Sequence, residues 1–92
     1  MLDSLLGNKS AEKVMYAIFH EGELHASAIA KNYNTAIDPI KKQLEKFEDA
    51  GILKSRIVGR SKLYRFNDEH PFISPLKELI KIADINVNER GN

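Results

Sequence analysis

The chain has 92 residues, 42% hydrophobic and 29% charged, the values of an ordinary folded protein with room for one modest core. It contains no cysteine, which excludes a disulfide framework, thiolate metal sites and cysteine catalysis. The net charge is only +1, yet it is uneven: residues 34–66 carry a net +4, and the segments on either side are net negative.

The opening residues place Leu2, Leu5 and Leu6 on a short apolar helical turn that docks elsewhere, ended by Gly7-Asn8. Ser10 is the expected N-cap of the next helix, in which Ala11, Val14, Met15 and Ile18 recur at helical spacing. Gly22 ends it. Glu23 to His25 forms a connector or stub strand. A second helix runs from about Ala26 to Asn32, with Ala28, Ile29 and Tyr33 turned inward, and Asn32 to Thr35 reads as a turn.

The third helix starts with Asp38 as N-cap and Pro39 at the first helical position. Ile40, Leu44 and Phe47 face the core, and Gly51 closes the helix. Lysines crowd its first turn against the helix dipole, and a bound phosphate there would remove that penalty. Two strands follow, Ile52 to Val58 and Ser61 to Phe66, joined by Gly59-Arg60, a two-residue hairpin signal. That register sets Lys54 against Arg65, a like-charge pair. Between Lys54 and Arg65 the hairpin holds five cations and no anion. Ser74-Pro75 opens a last helix through about Ile85, with Leu76, Leu79, Ile80 and Ala83 on its core stripe. Ile82 and Ile85 lie off that stripe and call for a second partner.

Helix, stub strand, helix, turn, helix, basic hairpin and last helix is a nucleic-acid-binding order: the third helix presents its first turn to a major groove and the hairpin reaches the backbone. The run from Ile40 to Asn67 resembles the recognition helix and wing of winged helix-turn-helix transcriptional regulators, and of the arsenic-repressor-like (ArsR-like) group in particular. The likeness rests on Leu44, on Glu48 through Ile52, on Gly59-Arg60 and on Tyr64 to Phe66, with weaker similarity in the first two helices.

The resemblance implies one winged helix-turn-helix domain over residues 1–92, mainly α with a small β-hairpin. The helix-turn-helix spans about 26–51, a two- or three-stranded wing about 52–66, and a C-terminal dimerisation helix about 75–85. It implies a homodimeric regulator on a near-palindromic duplex-DNA site. The DNA-facing residues would be Ser27, Thr35, Asp38, Lys41 and Lys42, with Arg56, Arg60, Lys62 and Arg65 on the wing. The dimer interface would draw on Leu2, Leu5, Leu6, Leu76, Leu79, Ile82 and Ile85. Asp38 departs from the small hydroxyl residues usual at its place; it repels phosphate but can accept from a cytosine amino group.

A winged helix without DNA binding, docking an acidic protein surface, fits the low net charge and Asp38. Binding of RNA or single strands lacks an aromatic ladder for base stacking. His20, His25 and His70 are scattered, so no metal and no cofactor is expected. No phosphate loop, nucleophile elbow or zinc-protease motif is present, and an enzyme is not expected. No apolar run reaches membrane-span length and no leader is recognisable, so a soluble cytoplasmic protein is expected.

Overall fold

The computed structural model describes residues 2–91 and the side chains of residues 2–84. Five helices and three strands follow one another: α1 (Leu2–Leu6), α2 (Lys9–Glu21), β1 (Glu23–His25), α3 (Ala26–Asn32), α4 (Ile37–Asp49), β2 (Leu53–Val58), β3 (Ser61–Phe66) and α5 (Ile73–Gly91).

Helix α2 is the hub, packed against α1, α4 and α5. Its stripe is as expected, with Ala11, Val14, Met15 and Ile18 all buried. Its cap is not Ser10. Asn8, two residues earlier, holds an extended backbone and accepts from the Ala11 N–H at 2.7 Å. Asn8 fills the cap geometry because its short side-chain carbonyl reaches the third helical N–H, which leaves Ser10 inside the first turn.

Helix α4 also begins earlier than expected, at Ile37, with Ala36 as a cap that offers no side-chain bond. Asp38 and Pro39 are therefore its second and third residues rather than cap and first residue. Pro39 loses no hydrogen bond there, since the first-turn N–H groups have no intrahelical acceptor. The shift also moves Lys41 and Lys42 out of the first turn and puts the Asp38 carboxylate into it, where the helix dipole favours an anion.

The exit from α4 is a Schellman motif. Gly51, at φ 81°, donates to the Glu48 carbonyl at 2.9 Å, and Ile52 donates to the Phe47 carbonyl at 2.9 Å. Phe47 and Ile52 both pack on the core, which is the apolar contact this motif carries. The turn between α3 and α4 is as expected, with Asn34 in left-handed geometry at φ 50°. Tyr33, expected inward, is exposed.

The hairpin register matches the expectation pair for pair, from Leu53 with Phe66 to Val58 with Ser61. Gly59 supplies the positive φ of 61° that the first position of a II′ turn requires, and Arg60 keeps a negative one. Glu23 to His25 is a true strand. It pairs antiparallel with β3, so the sheet order is β1-β3-β2 and β3 is central. Leu24, Leu53, Tyr64 and Phe66 cover the core from one face of this sheet.

Helix α5 starts one residue before Ser74-Pro75. Ile73, Ile80 and Ala83 are buried, but Leu79, placed on the core stripe by spacing, is 40% exposed. Ile73 begins the buried stripe instead, because the helix phase is set by Ile80 and Ala83, seven and ten residues on. One hydrophobic cluster joins α1, α2, α3, α4, the sheet and α5.

Candidate nucleic-acid interface

Between α4 and the wing lies an open cleft of about 390 Å³. The start of α3 supplies Ser27, the outer side of α4 supplies Lys41 and Glu45, and the hairpin end supplies Arg60, Lys62 and Tyr64. Four of the nine expected DNA-facing residues thus meet in one place: Ser27, Lys41, Arg60 and Lys62.

The other five lie elsewhere. Asp38 and Lys42 sit on the opposite flank of α4, beside Asn8 and Ser10 in a depression of about 300 Å³. Thr35 is half-buried in the turn, its N–H donating to the Ala30 carbonyl at 3.0 Å. Arg56 and Arg65 project from the outer sheet face. Arg65 belongs to a different cavity altogether, with Phe19, Phe66 and Lys77.

The cations are not equivalent. Arg56 forms a two-pronged pair with Glu23, Nε to Oε2 at 2.8 Å and Nη2 to Oε1 at 2.6 Å, reaching across β3 to β1. Lys62 donates to Glu48 at 3.1 Å and stands 5.3 Å from the Tyr64 ring centre. Lys54 pairs with Glu69 at 3.5 Å. Lys41, Lys42 and Arg60 make no ion pair and no side-chain hydrogen bond with the described residues. These exposed, uncommitted cations flank the cleft and the α4 surface, while Arg56 and Lys62 brace the wing.

Glu48 is the brace on the α4 side. The Ser55 hydroxyl donates to one of its oxygens and Lys62 to the other. These contacts, the Ser55 hydrogen bond foremost, hold its carboxyl below the ordinary value of 4.5 against the opposing effect of burial. A carboxyl lowered by folding stabilises the fold above its ordinary pKa and loses that contribution as pH falls through the folded value. Unfolding free energy is therefore expected to decline below about pH 4.5, and to decline less in Glu48→Gln. Denaturant titrations from pH 7 to pH 3 check this; parallel declines in the two proteins would remove Glu48 from the account.

Several participants were not legible as such. His25 accepts the Ala28 N–H on Nδ1 at 3.0 Å, so it caps α3 and walls the cleft. Its place three residues before Ala28 is cap spacing, but imidazole is not among the usual capping side chains. Two anions stand around the like-charged Lys54–Arg65 pair: Glu69 pairs with Lys54, and Glu23, held by Arg56, lies beside Arg65 in the β1–β3 register.

The expected dimer residues divide as well. Leu2 is buried in the core of its own chain and has no area left for a partner, because the short α1 folds back onto α2. Leu6 and Leu76 are half-buried against the same core. Leu5, Leu79 and Ile82 are exposed, at 66%, 40% and 52%. The side chain of Ile85 lies outside the described residues. His20 pairs with Asp84 at 3.3 Å, and His70 accepts the Phe72 N–H at 3.1 Å. Among the described residues no three histidine or carboxylate groups gather as metal ligands, and no helix is long and apolar enough to cross a membrane.

No family model matches the sequence, and no curated protein matches it. Solved structures do. The antimony-specific transcriptional repressor AntR is similar over 97% of this chain and 78% of its own, with a TM-score of 0.71 and 22% identity. A protein from Archaeoglobus fulgidus, AF1382, is similar over 92% of this chain and 96% of its own, with a TM-score of 0.71 and 21% identity. A homodimeric winged helix-turn-helix DNA-binding domain from Mycobacterium bovis, described as a possible ArsR-family regulator, is similar over 91% of this chain and 72% of its own, with a TM-score of 0.62 and 19% identity. The fold is a winged helix-turn-helix, mostly helical with a three-stranded antiparallel sheet.

Proposed function

We propose that the chain is a duplex-DNA-binding transcriptional regulator of the ArsR-like kind that works as a homodimer. The observation that carries this reading is the cleft between α4 and the wing, with Lys41 and Arg60 flanking it and no anion among the described residues holding either. Cations kept free of internal partners are poised for phosphate, whereas paired ones must first break a bond. The printed descriptions of AntR as a repressor and of the Mycobacterium bovis domain as a homodimeric DNA-binding domain support the same reading.

In this arrangement α4 enters the major groove with Asp38 and Lys42 toward base edges. Lys41 and Arg60 grip a phosphate strand between helix and wing, with Lys62 bracing the wing through Glu48, and the Ser27 hydroxyl adds a neutral donor. The second protomer repeats the contact about one helical turn away, so the site is a near-palindrome. The exposed apolar residues Leu79 and Ile82, on the side of α5 away from the core, supply the dimer contact.

The test is selection from random duplex DNA by the purified protein at two salt concentrations. An enriched inverted repeat, recovered less well at high salt, is the expected result. Lys42→Ala is expected to shift the enriched sequence rather than weaken all sequences alike. Enrichment of nothing at either salt would favour the alternative, a winged helix that docks an acidic protein surface. The internal pairing of Arg56 and Lys62 lowers the wing's free positive charge and is the feature that keeps this second reading open.

A further inference from the structure

His25 is absent from the DNA-facing residues that the resemblance implies, yet it lines the cleft between α4 and the wing together with Ser27, Lys41 and Arg60. Two constraints hold it there. Its backbone is the last rung of β1, opposite Leu63 of β3. Its side chain caps α3, with the Ala28 N–H donating to Nδ1 at 3.0 Å.

The cap decides where the ring carries its proton. A ring nitrogen that accepts an N–H bond offers its lone pair and so bears no hydrogen. The neutral imidazole therefore holds its proton on Nε2, as a donor. Nε2 has no hydrogen-bond partner among the described residues, and Glu45, the carboxylate of the cleft lining, does not take its proton. Nor is Nε2 sealed inside the protein: among the described residues, the buried side-chain polar atom left without a partner is the Tyr16 hydroxyl, not this nitrogen. What remains is an N–H donor open to solvent, on a half-buried ring fixed through both backbone and side chain. Lys41 and Arg60 attract phosphate to this place, but each carries its charge at the end of a long, rotatable stem. A fixed neutral donor adds direction at little entropic cost.

We propose that His25 donates from Nε2 to a DNA backbone phosphate in the cleft, so that the residue capping α3 also positions the duplex. The assignment rests on the duplex-DNA reading above and names a contact within it. The phosphate sits between the Lys41 and Arg60 charges and accepts from Nε2, while Nδ1 keeps the cap. Such a contact fixes orientation and carries no base information.

The test compares the parent chain with His25→Ser on a mixed-sequence duplex about 25 base pairs long, enough for two half-sites one helical turn apart. Serine is a preferred cap, so the variant keeps the α3 cap but ends short of the phosphate. Its thermal unfolding midpoint should match the parent's, and its DNA affinity should fall about tenfold, the loss of one hydrogen bond to a charged group. The slope of log affinity against log salt should stay parental, because a neutral donor displaces no counterion, whereas Arg60→Ala lowers both affinity and slope. Ring-nitrogen NMR of the parent is the second measurement and needs no variant to fold. It should show Nε2 protonated and Nδ1 bare in the free protein, and a shift on adding DNA that is larger at Nε2. Parental affinity in His25→Ser, a proton on Nδ1 in the free protein, or an unmoved Nε2 with DNA bound would each overturn the assignment and leave the DNA-binding reading standing. A parent chain that binds no duplex at any salt concentration would overturn that reading, and this contact with it.

Discussion

Truncating Leu44 to alanine is expected to lower the unfolding free energy by about 2–5 kcal/mol. Leu44 is fully buried, and its helix packs against both α2 and α3, so the vacated space is walled by three helices of one cluster. Such a site collapses poorly, and the cavity penalty adds to the lost transfer energy. Domains of this size have about 5–15 kcal/mol in total, so one truncation removes a large share. Urea unfolding checks this: the midpoint should fall with little change in slope. Lys46→Ala, on the exposed side of the same helix, is expected to change stability by less than about 0.5 kcal/mol. A Leu44→Ala loss as small as that would mean α4 is not seated as described, and the cleft it borders would go with it.

Removing Lys41 and Arg60 together is expected to weaken DNA binding more than any other pair of charge changes. Neither cation is held by an anion among the described residues, and they approach the cleft from opposite sides, Lys41 from α4 and Arg60 from the wing turn. Each alanine replacement should cost about tenfold at low salt and flatten the dependence of log affinity on log salt by about one unit per protomer. The loss should be alike for all DNA sequences, because phosphate carries no sequence information. Arg56→Ala is the contrasting case. Its guanidinium is committed to Glu23, so its removal should disturb the sheet more than the salt slope. Electrophoretic or anisotropy titrations at several salt concentrations separate these outcomes. A double variant with parental affinity and slope would remove the cleft from the DNA-binding account, whatever the fold resembles.

Much of the fold was readable from local pattern. The α2 stripe, the Gly59-Arg60 hairpin and its register, the Gly51 exit from α4 and the left-handed turn at Asn34 each depend on residues close in sequence. Their physics is short-range: helical or alternating burial, positive φ, and hydrogen bonds a few residues long. The errors at Ser10, Asp38-Pro39 and Ser74-Pro75 share a cause. Several residues near a helix start can serve as cap, and propensity ranks them without choosing among them. Tertiary packing chooses, by setting where the first buried residue must fall.

What the sequence determined by itself is the element order, the positive charge concentrated in the middle third, the hairpin register and the exclusion of thiol chemistry. What only the tertiary structure decided is which charges remain free. Sequence presents the hairpin cations as one basic run. Folding places Glu23 on a third strand within reach of Arg56, and Glu48 on α4 beside Lys62, leaving Arg60 with Lys41 at the cleft and sending Arg65 to another cavity. Charge sign is a property of composition, but its availability depends on through-space distance, which falls to hydrogen-bonding range only when distant segments are packed together.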